Sequence, residues 1–149
     1  MEKLFDPDKV AVVGASRDEG KTGHEIFDNL LHSFDGETVP VNPKADEIHG
    51  YTAEDSIPDG TDLAVIAVPA SIVPQVMEDA ASKGVEAAIV VTAGFSEAGD
   101  QELESEMMEI AEENDITLLG PNVLGLINTE NGLNASFATK MPYRGNINF

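Results

Sequence analysis

The chain of 149 residues carries 28 acidic and 8 basic side chains, a formal net charge of −20, and no cysteine. That length suits one domain with room for a single sizeable core. The charge opposes binding to nucleic acid or an anionic membrane, whose phosphates it would repel, and the missing thiols exclude disulfides, thiolate metal sites and a cysteine nucleophile.

Val10–Gly14 (VAVVG) is a β-branched apolar run closed by glycine, which predicts a buried strand. Phe27, Leu30, Leu31 and Phe34 then recur at helical spacing opposite Asp28, Asn29 and Ser33, predicting a helix from Thr22 to the stop at Asp35-Gly36. Thr38–Val41 is a second strand, ended by Asn42-Pro43-Lys44. From there to Leu63 no full helix is legible; Thr52 and Asp55 read as a capping box over one short turn ended by Pro58. Leu63–Val68 is a third strand, stopped by Pro69. Ile72, Val73, Val76 and Ala80 mark a second helix, with Ser71 as its N-cap and Lys83-Gly84 as its exit. Ala87–Val91 is a fourth strand. A third helix runs from Asp100 to Asn114 on the apolar stripe Leu103, Met107, Ile110 and Ala111, and Thr117–Leu119 is a fifth strand closed by Gly120-Pro121-Asn122. The tail KMPYRGNINF reads as the start of another strand.

Strands that are apolar throughout, separated by amphipathic helices, require a parallel sheet covered on both faces. The expected fold is α/β: a single Rossmann-like, doubly wound parallel-sheet domain over residues 1–145, with right-handed crossovers. Residues 146–149 would begin a following domain or form a truncated tail. No apolar run reaches the ~18 residues of a membrane span, and Met1–Phe5 lead into the fold without a signal segment, so a cytoplasmic protein is expected. The acids are spread over nearly every segment, the pattern of a halophile's solvated surface rather than of a face docking a basic partner. Those of the third helix read as its polar side and not as a metal cluster.

In open parallel sheets ligands bind beyond the carboxyl ends of the strands, near the point where strand order reverses. Small or special residues stand at each such end: Gly14-Ala15-Ser16, Asn42-Pro43-Lys44, Val68-Pro69-Ala70, Thr92-Ala93-Gly94 and Gly120-Pro121-Asn122. Three of the few cations, Arg17, Lys21 and Lys44, fall on the same rim, where they would offset the charge of a phosphate-bearing ligand. Arg17 could pair bidentately with a diphosphate and Lys44 could act as a point charge on a terminal phosphate. The G-x-G-x-x-G fingerprint of NAD domains is absent, and Lys44 stands where an acid would hold ribose hydroxyls; lysine there suits a phosphorylated ribose, as in NADP or coenzyme A. No Walker lysine motif is present.

AVVGASRDEGKTGHEIFDNLL, PVNPKADEIHGY, DLAVIAVPA, VVTAGFSEAG and LLGPNVLGLINTENGLNASF together resemble the amino-terminal CoA-binding domain of ADP-forming acyl-CoA (acetyl-CoA) synthetases, relatives of the succinyl-CoA synthetase α subunit. The resemblance covers essentially the whole chain, in order. It implies a site for coenzyme A (CoA or acyl-CoA) built from Gly14, Ala15, Ser16, Arg17 and Lys21, from Asn42 and Lys44, from Val68, Pro69 and Ala70, and from Val91, Thr92 and Ala93. Asn122 would approach the thiol end. It also implies partners: the remaining synthetase domains or subunit, including the ATP-grasp module. No catalytic residue is expected in this chain, because the family's phosphorylated histidine is not matched by His24, His32 or His49, which read as surface histidines of a helix or loop. The family usually has cysteine where this chain has Val123. Ser96-Glu97 offers no nucleophile–base pair, and Ser96 reads as a helix cap. A regulatory CoA sensor, standing alone or fused to an acetyltransferase, is the alternative; an NADP-binding domain is disfavoured, since no proton donor for a nicotinamide substrate is evident.

Overall fold

The apolar runs pair as a five-stranded parallel sheet in the computed structural model, which describes residues 1–145. After a short helix α1 (Glu2–Phe5) the chain enters β1 (Lys9–Val13), α2 (Thr22–Ser33) and β2 (Glu37–Val41). A small hairpin follows, β3 (Glu47–Ile48) and β4 (Tyr51–Thr52). Then come β5 (Leu63–Ile66), α3 (Val73–Ser82), β6 (Ala87–Val90), α4 (Gln101–Glu113) and β7 (Thr117–Leu119). A second hairpin, β8 (Gly125–Asn128) and β9 (Leu133–Ser136), closes the domain. The sheet order β2-β1-β5-β6-β7 is doubly wound: the chain moves outward from β1 in one direction, then returns and continues in the other, so strand order reverses between β1 and β5.

Both faces of the sheet are covered, which is why its inner strands β5 and β6 are apolar at every position and β1 at all but its first, while the edge strands β2 and β7 carry Glu37, Thr38 and Thr117. Ala11, Val13, Ala64, Ile66, Ala88 and Val90 face α3 and α4, where Met77, Ala80, Met107 and Ala111 meet them. Val10, Val12, Leu63, Val65, Ala87 and Ile89 face the other way, onto Ile26, Phe27 and Leu30 of α2 and onto Leu133 and Ala135 of β9. The β8–β9 hairpin is thus a structural layer beside α2 and takes the place of a further helix. Its attachment is close: Asn29 donates through Nδ2 to the carbonyls of Ser136 (2.8 Å) and Ala138 (2.9 Å).

Several local expectations are overturned. Thr52 opens no helical turn, because residues 47–52 form the β3–β4 hairpin with His49 and Gly50 at φ 52° and 83°; a tight two-residue turn that matches strand twist needs positive φ at both positions. Ser71 lies within a 3-10 turn, Ala70–Ile72, and α3 begins without a side-chain cap, with Pro74 in its first turn. Ser96 sits in another 3-10 turn, and the cap of α4 is Asp100, whose carboxylate accepts the Leu103 N–H at 3.1 Å. The tail forms no strand over residues 140–145, and residues 146–149 lie outside the described part. No helix among the described residues is long and apolar enough to cross a membrane.

Candidate functional site

Glycine lets the first strand, the third strand in the sheet and the first long helix converge at one point. Gly14 has φ 89°, and a Cβ there would stand 2.4 Å from the Ala67 carbonyl oxygen at the end of β5. A Cβ on Gly23, in the first turn of α2, would stand 1.9 Å from the Gly14 carbonyl oxygen. Only two glycines permit this approach, and the helix start is thereby set against the sheet at its order reversal. No side chain caps α2; the His24 and Glu25 N–H groups donate to the Lys21 carbonyl, and those of Thr22 and Gly23 remain for a ligand or water.

The neighbouring strand end is locked to this loop. Asn42 donates through Nδ2 to the Ala15 carbonyl at 2.8 Å, while its Oδ1 accepts the Lys44 N–H at 2.9 Å. Asn42 therefore fixes the turn that carries Lys44 against the loop that carries Lys21. Between them and the end of β5 opens a cleft of about 650 Å³. Lys44 is exposed at its mouth and has no carboxylate within ion-pair distance among the described residues; Lys21 reaches Asp18 at 2.5 Å. The Lys21 ammonium, by hydrogen bond and charge, holds the Asp18 carboxyl below its ordinary value. A smaller cleft of about 400 Å³ lies along the outer edge of β2; no cation lines it.

Further along the rim the chemistry changes. Thr92 donates its hydroxyl to the Val68 carbonyl at 2.7 Å, and the Asn122 N–H donates to the Thr92 carbonyl at 2.9 Å. Glu97 accepts the Gly94 N–H, and Glu104 accepts the Ser96 N–H at 3.0 Å. Donation from the N–H groups of Gly94, Glu97 and Phe95 holds the Glu97 carboxyl below its usual range against the opposing effect of desolvation. Carboxylates already occupy these donors, and the neighbouring rim residues Ala70, Val91, Thr92, Ala93 and Asn122 are uncharged.

The cleft thus brings together Gly14, Ser16, Lys21, Asn42, Lys44, Val68 and Pro69. Ala15 lies buried beneath it. Arg17 stands on the same loop, exposed and outside the cleft wall. Ala70, Val91, Thr92, Ala93 and Asn122 belong to the uncharged stretch, with Val91 largely buried. The sequence reading missed Asp55, Ser56, Gln75 and Asp79 on the far wall. Asp79 accepts the Ile57 N–H at 2.9 Å, which anchors the segment after β4 to α3; the lack of a helix between Asn42 and Leu63 was the available signal that this segment does something else. The three histidines are not independent surface groups either. His24 and His49 meet at 3.2 Å, and His49 and His32 both approach Asp28.

A doubly wound α/β sheet with paired cations at its order reversal defines a domain that binds a phosphate-bearing small molecule. The profile of the CoA binding domain family matches residues 8–129, and the chain belongs to that family. Over 144 residues it is 47% identical to an ADP-forming acetate–CoA ligase of Methanocaldococcus jannaschii, covering 95% of this chain and 20% of that protein. An ADP-forming acetate–CoA ligase of Archaeoglobus fulgidus is 48% identical, across the whole chain and 22% of its own length. The structure superposes with a TM-score of 0.93 and 42% identity on a dinucleotide-forming acetyl-coenzyme A synthetase of Ca. Korarchaeum cryptofilum, covering 97% of this chain and 32% of that one. The chain therefore spans about a fifth of the length of these curated relatives.

Proposed function

We propose that the chain is the CoA-binding part of an ADP-forming acyl-CoA synthetase, which interconverts acyl-CoA, ADP and phosphate with the free acid, CoA and ATP. The ATP-grasp and phosphohistidine parts would come from the remaining synthetase domains or subunit. The carrying observation is that Lys44 stands at the cleft mouth with no carboxylate partner among the described residues, although the chain has 28 acids to 8 bases. An anionic ligand at this rim needs local positive charge to offset that field, and Lys44 is free to supply it.

On this reading the phosphates of CoA lie between Lys44, Lys21 and the open N–H groups at the start of α2. Arg17 supplies additional long-range attraction from the loop. The pantetheine, which is uncharged, runs past Val68-Pro69-Ala70 toward Val91-Thr92-Ala93, and Asn122 approaches the thiol. The carboxylates behind the second stretch enforce this polarity: phosphate is repelled there and the amide-rich arm is not. The domain performs no bond-breaking step. It binds, orients and presents the thioester end to the other parts.

Titration calorimetry in concentrated KCl tests the reading. Lys44→Ala and removal of the 3′-phosphate from CoA should each weaken binding about tenfold, and the two together should do little more, because they delete the same contact. NADP binding more tightly than CoA overturns it. The acidic surface is part of the same proposal: a salt-adapted cytoplasmic protein, whose carboxylates repel one another until molar salt shortens the screening length to about 3 Å. The thermal midpoint should rise by at least about 5 °C between dilute buffer and molar KCl; an unchanged midpoint removes the salt-adapted reading.

A further inference from the structure

Two of the three histidines, His32 and His49, approach one carboxylate, that of Asp28, and His24 and His49 connect the β3–β4 hairpin to the loop of the cleft. His24, in the first turns of α2, has its Nδ1 3.2 Å from the Ser16 carbonyl oxygen and 3.2 Å from Nε2 of His49. Their rings lie 4.7 Å apart at an interplanar angle of 50°. His49, at the hairpin tip, directs Nδ1 toward Oδ1 of Asp28 at 3.9 Å and packs edge-on against Phe27. His32, one turn along α2, reaches the same Asp28 oxygen at 3.5 Å.

One tautomer set makes both contacts of His24 hydrogen bonds. The Ser16 carbonyl can only accept, so Nδ1 of His24 carries the proton. Nε2 of His49, facing that same N–H, must then present a lone pair, and the proton of neutral His49 resides on Nδ1, toward Asp28. A proton added to His24 goes to its Nε2 and leaves this arrangement intact. A proton added to His49 sets two N–H groups against each other at 3.2 Å and draws His49 to Asp28. The other charges around the pair are Asp18 and Lys21 on the loop and Glu25 on α2, whose carboxylate accepts the Gly20 N–H.

We propose that His24 is a positioning residue for the cleft, that His49 holds it in the donor tautomer, and that protonation of His49 loosens the Gly14–Lys21 loop and lowers CoA affinity. This rests on the binding reading given above. The sign separates it from plain electrostatics: an extra imidazolium near phosphates would strengthen binding as pH falls, whereas an uncoupled loop weakens it.

The decisive measurements are nitrogen-15 NMR of the three imidazoles and calorimetry with dephospho-CoA, which lacks the titrating 3′-phosphate. At about pH 8 both His24 and His49 should be Nδ1–H tautomers. Affinity should fall about fivefold between about pH 8 and pH 5.5 in the parent chain and stay level in His49→Asn. At pH 8 His24→Asn, which keeps a donor where Nδ1 stands, should retain near-parent affinity, while His24→Ala should lose about fivefold. An Nε2–H tautomer at His49, affinity that rises on acidification, or an unaltered pH profile in His49→Asn overturns the proposal. If Lys44→Ala leaves CoA binding untouched, the binding reading fails separately, and the tautomers still decide whether the histidine link exists.

Discussion

The two ends of the parallel sheet use the same scarce cations in opposite ways. At the amino end Lys3 bridges Asp8 and Asp62, Lys9 pairs with Glu37, and Lys83 pairs with Asp59. At the carboxyl end Arg17 and Lys44 have no carboxylate partner among the described residues, and Lys21 has one, on its own loop. Ion pairing thus closes the amino end and leaves the carboxyl end electrostatically open. In a chain this acidic the default for any lysine is a nearby carboxylate, so the unpaired positions carry the information.

The sharpest way to break this comparison is steric. Gly14→Ala and Gly23→Ala would drive a methyl group into backbone oxygen at 2.4 and 1.9 Å, and neither carbonyl can move without shifting a strand or helix. Each should lower unfolding free energy by about 3 kcal/mol or more, read from the denaturant midpoint. Gly84, at the amino end with φ 71°, has open space where a Cβ would stand. Gly84→Ala should cost only about 1 kcal/mol, the strain of a left-handed alanine. Equal losses at the two ends would mean that the close approach at the order reversal is not what positions the cleft.

Asp62 tests the closed end. Burial pushes its carboxyl up, but the N–H groups of Asp8 and Lys9 and the Lys3 ammonium outweigh that, leaving it below the ordinary value. A group with a depressed folded-state pKa stabilises fully above its unfolded value and loses that contribution as pH falls through the folded one. Asp62→Asn should therefore destabilise by about 1.5 kcal/mol at neutral pH, and the difference from the parent should shrink as pH falls below the ordinary carboxylate range. A pH-independent gap would show that packing, not charge, makes the residue matter.

The sheet and its helices were legible because both faces are buried, so the inner strands read as apolar runs. The hairpins were not. Strands β3 and β4 are two residues each, too short to show alternation, and their turn is His-Gly rather than the Asn-Gly that signals such a turn. Strand β9 hides polar residues: Asn134 and Ser136 are buried and satisfied partly by each other, at 2.6 Å. The rim followed from chain order alone, since parallel strands place their carboxyl ends together. Which cations stay free did not, because ion pairing is tertiary; nor did the meeting of His24 and His49, twenty-five positions apart with no spacing rule to join them.

The smallest predicted effects lie within the open end itself. Lys21 differs from Lys44 in having Asp18 beside it, so part of its charge is already offset. The pair is well exposed and contributes little to folding. Lys21→Ala should leave the thermal midpoint unchanged and weaken CoA about threefold, less than the tenfold expected for Lys44→Ala. Asp18→Asn should act in the other direction: releasing Lys21 and removing one negative charge should tighten CoA about twofold, an effect that fades in molar KCl. If Asp18→Asn weakens binding instead, the Lys21–Asp18 pair holds the loop in shape, and the open end owes its affinity to Lys44 and the start of α2 alone.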